Sequence, residues 1–325
     1  MLPDSILAND LKLAGASPLR ATPPVRSLLS APVVVPHRII AAILVKGDDA
    51  PHAVLPTFVE DELEGVAKQL SSRGIKAVKV FVDSYAPSHD ASAVYDANGL
   101  SPRAISKLKS AAPEICVITD TCLCSYTDQG NCALTSQSGE IDEDATFEKF
   151  RALADIQLKA GADILGPAPM MNGAVSALRK HLDATGYRHV PLMPHLSWRS
   201  TLYRTYRAAM NTGLGIQRQA FQIDPTRPEQ FLSMGERLKY EGADIIQMQP
   251  GLFSLDMASR MREHLQMPVA LYSVSGEYAM MKAACTSNDE FKEILHEHAT
   301  ACLRSGVDFI VTYAWQELTD SQGEC

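Results

Sequence analysis

Apolar runs of strand length recur through the chain: RIIAAILV (38–45), IKAVKVFV (75–82), ICVITDTC (115–122) and ADILGPAP (162–169). HVPLMPHL (189–196), ADIIQMQP (243–250), PVALYSVS (268–275) and VDFIVTYA (307–314) follow. Most are continuous rather than alternating, the pattern of strands covered on both faces of a parallel sheet. Segments of helical period lie between them, among them VEDELEGVAKQLSSRG (59–74), ATFEKFRALADIQLKAGA (145–162) and PEQFLSMGERLKYEGA (228–243). The strings GADIL, GADII and GVDFI recur where helix gives way to strand, and glycine is the residue expected at a helix C-terminus. Eight such units in about 290 residues predict a single (β/α)8 TIM barrel, with a doubly wound sheet as the alternative.

Residues 1–37 precede the first strand, are rich in Pro and Ser, and are expected to form an N-terminal arm packed on a neighbouring subunit or on the barrel exterior; residues 38–325 then form the barrel. The longest unassigned connection, 197–227, holds five arginines and two glycines and is expected to be an active-site lid. It and the polar segments 83–99 and 125–145 follow strands. In a barrel all three therefore sit on the C-terminal face, where active sites occur.

Net charge is −8 with no dense Lys/Arg run, which argues against nucleic acid or an anionic membrane as partner. The longest aliphatic run, residues 39–45, is too short for a membrane span. The N-terminal MLPDSILANDLK lacks a basic segment leading into an apolar core, so a cytoplasmic location is expected. In that compartment clustered cysteines more often bind metal or react than form disulfides.

Such a cluster is present. In DTCLCSYTDQGNCAL (120–134), three of the seven cysteines, Cys122, Cys124 and Cys132, fall within eleven residues at the end of the third predicted strand. Cysteines at i and i+2 are poorly placed to bond each other and well placed to converge on one ion. Three thiolates give Zn2+ an open fourth position, as in catalytic sites. A set of small buried thiols is the competing reading. Cys116, Cys285, Cys302 and Cys325 are scattered and read as structural.

DTCLCSYTDQGNCAL resembles the zinc loop of porphobilinogen synthase (5-aminolevulinate dehydratase), and the likeness continues through 139–150, 161–175, YRTYRAA (203–209), FQIDP (221–225), 242–256, 269–284 and 306–318. The resemblance covers roughly 17–318 and implies a (β/α)8 barrel with an N-terminal arm, assembled as a homo-oligomer, an octamer or its dimer building block. It also implies zinc on Cys122, Cys124 and Cys132 with Asp120 beside them. Carboxylate recognition is implied for Arg207, Arg218 and Gln222, and for Ser275 and Tyr313. The family condenses two 5-aminolevulinates through two lysines that form Schiff bases. The matching positions here are Ser197 (give or take one residue) and Gln249, and neither side chain can form an imine. Ala168-Pro169 and Asn172 depart from the family's acidic residues as well.

The resemblance thus implies zinc-dependent condensation or dehydration of a small amino-keto or keto carboxylic acid without lysine imines. A non-catalytic homologue and a genuine synthase using another lysine, Lys46 or Lys79, are the alternatives. Against the last stand the readings of a solvated strand end for Lys46 and a helix-facing side chain for Lys79. Arg199 and Arg204 are candidates for gripping a more anionic substrate, against the reading of a solvated loop face. His195, at a strand end, is a candidate general acid or base, against a hydrogen-bonded structural role, and Asp120 is a second candidate for moving protons.

Overall fold

The computed structural model describes residues 34–47, 52–83, 87–136, 138–210, 212 and 218–320, with the side chains of 218 and 219 outside the description. The expected arm therefore falls almost wholly outside the described residues, as do Cys325 and part of the 197–227 connection.

Nine strands follow in chain order: β1 (Ile39–Lys46), β2 (Thr57–Val59), β3 (Ala77–Val82), β4 (Cys116–Thr121), β5 (Ile164–Pro167), β6 (His195–Ser197), β7 (Ile246–Gln249), β8 (Val269–Ser273) and β9 (Phe309–Thr312). They pair in the order β5-β4-β3-β1-β9-β8-β7-β6, all in parallel, with β2 added beside β1. The remaining seam, between β5 and the segment leading into β6, is spanned by a parallel bridge from Leu165 to Leu192. Leu165 N donates to Pro191 O (3.1 Å) and Met193 N to Leu165 O (2.8 Å). Eight parallel strands thus close into the expected barrel. The run 189–196 yields only the three-residue β6 at its end, because Pro191 and Pro194 have no N–H to give a ladder.

The recurrent GAD and GVD strings carry a second function beyond ending helices. Gly161 and Gly242 hold positive φ, 104° and 106°, where a side chain would be strained. The aspartate two residues on then takes an amide at or close to the start of the preceding strand. Asp163 accepts from Val117 N (2.7 Å), Asp244 from Leu192 N (2.8 Å) and Asp308 from Val269 N (2.9 Å). Each carboxylate also pairs with a cation, Lys109, Arg179 or Arg262. Three repeats of one contact fix the N-terminal rim of the barrel. Arg38 joins that rim through the carbonyls of Val307 and Asp308. The strands are buried throughout β1, β7 and β8. The fold thereby leaves the C-terminal ends of the strands free to carry chemistry.

Candidate active site

Parallel pairing decides which side chains meet inside the barrel. The β6–β7 register sets His195 against Gln247 and Ser197 against Gln249. Alternate residues of a strand share a face, so these four polar groups form two layers of one stack, with Ser197 and Gln249 nearer the C-terminal face. Gln249 Nε2 donates to Ser197 Oγ (2.8 Å), and Gln247 Nε2 donates to Gln249 Oε1 (3.1 Å).

Lys79, from the middle of β3, is fully buried in the lower layer. Its Nζ lies 2.6 Å from His195 Nε2 and 2.8 Å from Gln247 Oε1. Space for it comes from Gly166, where a Cβ would lie 2.8 Å from Nζ. Lys79 therefore points into the barrel and not toward the helices. Burial lowers its pKa to about 8, against the opposing pull of Asp120 and Cys122. Lys46, expected to be solvated, is instead buried at the end of β1, and it does not reach the cavity described next.

Above this layer a cavity of about 120 Å³ opens between the strand ends. Asp120, Cys122, Cys124 and Cys132 form one wall, and His195, Ser197 and Gln249 lie at its base. The ligand atoms of Asp120, Cys122 and Cys124 all fall within 4.8 Å of one another. Cys132 returns to this group because Thr127 Oγ1 donates to Asn131 O (2.9 Å) and turns the loop back; the sulfurs of Cys122 and Cys132 lie 3.5 Å apart. Among the described residues every cysteine is free. Hydrogen bonds from Cys122 and Cys124, helped by the charge of Arg207, hold the Cys132 thiol well below its ordinary pKa. Among the described residues Asp120 Oδ1 is buried with no hydrogen-bond partner, 3.8 Å from His195 Nε2. An oxygen left this way beside three sulfurs is a donor set suited to zinc.

The opposite wall comes from the 197–227 connection. Arg207, on the helix Arg204–Ala209, and Gln222, whose buried Oε1 has no partner among the described residues, both line the cavity. Ser275 and Tyr313 do too, but with engaged hydroxyls. Ser275 Oγ donates to Leu202 O (3.0 Å) and accepts from Tyr206 N (2.9 Å), so it pins the 202–206 segment. Tyr313 shares a hydrogen bond with Tyr272. Arg218 begins the short helix Arg218–Phe221, and its side chain lies outside the described residues.

Two expected substrate arginines are elsewhere. Arg199 is exposed and pairs with Asp224, because the bridge between Trp198 and Ile223 turns it toward solvent. Arg204 is exposed as well and does not line the cavity. His195 also differs from expectation: burial, and then the neighbouring Lys79, push its pKa well below the neutral range. Gln247, Tyr203, Tyr206 and Tyr272 were not singled out by sequence as members of this constellation, and Lys79 was named only as an alternative amine. The signal for Gln247 is present, since Q-M-Q in β7 and H-L-S in β6 are both polar on one strand face only.

A family model described as "Delta-aminolevulinic acid dehydratase" matches residues 16–321. A delta-aminolevulinic acid dehydratase of Methanothermobacter thermautotrophicus is 32% identical over 305 residues, 91% of this chain and 93% of that protein. One of Archaeoglobus fulgidus is 33% identical over 293 residues, 88% of this chain and 91% of that protein. The crystal structure of the Toxoplasma gondii delta-aminolevulinic acid dehydratase (porphobilinogen synthase) in complex with its reaction product porphobilinogen superposes with a TM-score of 0.87 at 31% identity, covering 94% of this chain and 90% of that one.

Proposed function

Since the chain belongs to the delta-aminolevulinic acid dehydratase family, we propose that it is a divergent, zinc-dependent lyase. It would condense or dehydrate a small amino-keto or keto carboxylic acid, 5-aminolevulinate or a relative, without imines at the two positions that resemble the family's lysines. The observation that carries this reading is the cavity base. Ser197 and Gln249 occupy those positions and are hydrogen-bonded to each other, while the thiol wall and Arg207 face the same space.

Cys122, Cys124 and Cys132 would hold the zinc, with Asp120 as a further donor, and the ion would supply Lewis acidity toward a substrate carbonyl or amine. Arg207, Gln222 and Arg218 would take the carboxylate, the guanidinium groups in bidentate fashion. Tyr313 would add a hydroxyl at the far side. Ser275 would contribute by fixing Leu202 and Tyr206, and so the helix that carries Arg207. The aromatic side of the cavity, Phe81 stacked on Tyr272 with centroids 5.7 Å apart, would exclude water. Homo-oligomeric assembly, as an octamer or its dimer building block, a lid within 197–227 and a cytoplasmic location belong to the same proposal.

A genuine synthase working through another amine is the second reading, and Lys79 is the observation that favours it. Against it, Nζ is enclosed by His195, Gln247 and Gly166, and Lys79 does not line the cavity. Incubating zinc-loaded protein with 5-aminolevulinate, with mass spectrometry of every product, separates the readings. A product other than porphobilinogen is expected. Porphobilinogen at a clear rate would establish the second reading, and no turnover would remove 5-aminolevulinate as the substrate.

A further inference from the structure

The two hydroxyls that the family resemblance assigns to a carboxylate are already engaged by the protein itself. A hydroxyl has one hydrogen. A carbonyl oxygen carries none, so the 3.0 Å contact between Ser275 Oγ and Leu202 O uses the hydrogen of Ser275. A backbone amide only donates, so the 2.9 Å contact from Tyr206 N occupies a lone pair of the same oxygen. Ser275 therefore has no hydrogen left for an anion. Tyr313 and Tyr272 share a hydrogen bond, and whichever of them donates, one hydroxyl hydrogen remains between the two.

Charge and space set the same limit. Among the described residues Arg207 is the only lysine or arginine that lines the cavity. One guanidinium matches one carboxylate as a two-pronged pair. A second carboxylate would leave water without a cationic side chain to meet it, which is strongly unfavourable. The side of the cavity near Tyr313 is aromatic instead. Phe81 stacks on Tyr272 with centroids 5.7 Å apart and meets Tyr206 edge-on at 5.5 Å. A cavity of roughly 150 Å³ takes one benzene, and this one measures about 120 Å³. We propose that the site holds one small monocarboxylic acid at a time, with its carboxylate on Arg207 and the rest of the molecule toward the aromatic side. Condensation of two such acids is then excluded, and the chemistry is done on a single acid molecule. The amino-keto or keto class of that acid rests on the function proposed above; single occupancy rests on the geometry.

Isothermal titration of the zinc-loaded full chain with 5-aminolevulinate, and separately with pentanoate, counts the molecules bound. The expected result is one molecule of either acid per chain, with each acid displacing the other. Two molecules per chain, or both acids bound together, overturn the proposal without recourse to any variant. A folded R207Q should bind both acids at least about tenfold more weakly, the scale of a lost charged hydrogen bond. Unchanged affinity in that variant overturns the assignment of the carboxylate to Arg207. Pentanoate bound once with 5-aminolevulinate not bound at all overturns the function proposed above and supports single occupancy. Binding of neither acid overturns both.

Discussion

Gln249 donates a 2.8 Å hydrogen bond to Ser197 across adjacent parallel strands on which the two residues are register partners. The pair closes on itself where the family resemblance calls for two amines. Neither an amide nor a hydroxyl forms an imine, so borohydride reduction in the presence of 5-aminolevulinate should leave the wild-type intact mass unchanged. Gln249→Lys puts a primary amine in a buried site, where desolvation depresses its pKa and leaves a nucleophilic fraction near neutrality. That variant should gain a reducible adduct mapping to position 249. An adduct on Lys79 in the wild type would favour the second functional reading.

The thiol wall predicts a selective loss of metal. Cys124→Ser removes one of three soft donors, and its zinc content after dialysis should fall at least about tenfold while the fold persists. Cys302→Ser is the control. Cys302 is buried, 3.7 Å from His298, and does not line the cavity; its variant should keep zinc. Metal analysis beside circular dichroism reads both. Retention of zinc by the Cys124 variant would contradict the assignment.

The fold was largely legible because its signals are local. Continuous apolar strands, intervening helical periods and glycines at helix ends each specify their element without reference to distant residues, and the barrel follows from their count. β6 shows the limit, since the apolar run 189–196 has the right composition but its prolines interrupt the ladder. The cysteine wall was legible for the same reason, being contained in one loop. The direction of Lys79 was not. It depends on the strand's rotation in the sheet and on the space above Gly166, 87 residues away in sequence (166 − 79). Arg199 and Arg204 read as possible ligands from their place beside the arginines that match the family, and only the course of the chain shows both exposed to solvent.

Asp308 anchors both the start of β8 and the arginine of the preceding helix. It accepts from Val269 N at 2.9 Å and pairs with Arg262 at 3.1 Å. Asp308→Ala leaves a strand amide without its charged acceptor, a loss of about 1.5–3 kcal/mol. The site lies at the opposite rim, so urea denaturation should show the destabilisation while zinc content stays at the wild-type level. Asp308→Asn, which keeps an acceptor oxygen, should lose less.

Gly276 lets two segments touch. Its N donates to Leu202 O at 2.8 Å, and a Cβ there would stand 2.5 Å from that oxygen and 2.6 Å from Leu202 Cα. Both neighbours are backbone and cannot rotate away. Gly276→Ala should therefore push the 200–206 segment outward and take Arg207 with it. The expected result is a destabilisation of about 1–3 kcal/mol with a larger proportional loss in carboxylate affinity. Isothermal titration with 5-aminolevulinate checks the affinity, and a variant that binds as well as wild type would show that the helix Arg204–Ala209 does not depend on this contact.

Lys79 should also leave a mark on stability as a function of pH. Its folded pKa of about 8 lies below its ordinary value of 10.5 because burial disfavours the ammonium. Between those values the unfolded chain binds more proton than the folded one, so stability rises with pH through this window. Below about 8 the full penalty of burying the charge is present; above 10.5 it is gone. Lys79→Met removes the titrating group, while the contacts it strands at His195 and Gln247 are the same at every pH in the window. The stability of wild type relative to this variant should thus increase from pH 8 to pH 10.5 by on the order of 3 kcal/mol. Parallel denaturation curves for the two proteins across that range measure the difference directly. A flat difference would mean that the ammonium is as well accommodated inside the barrel as in water.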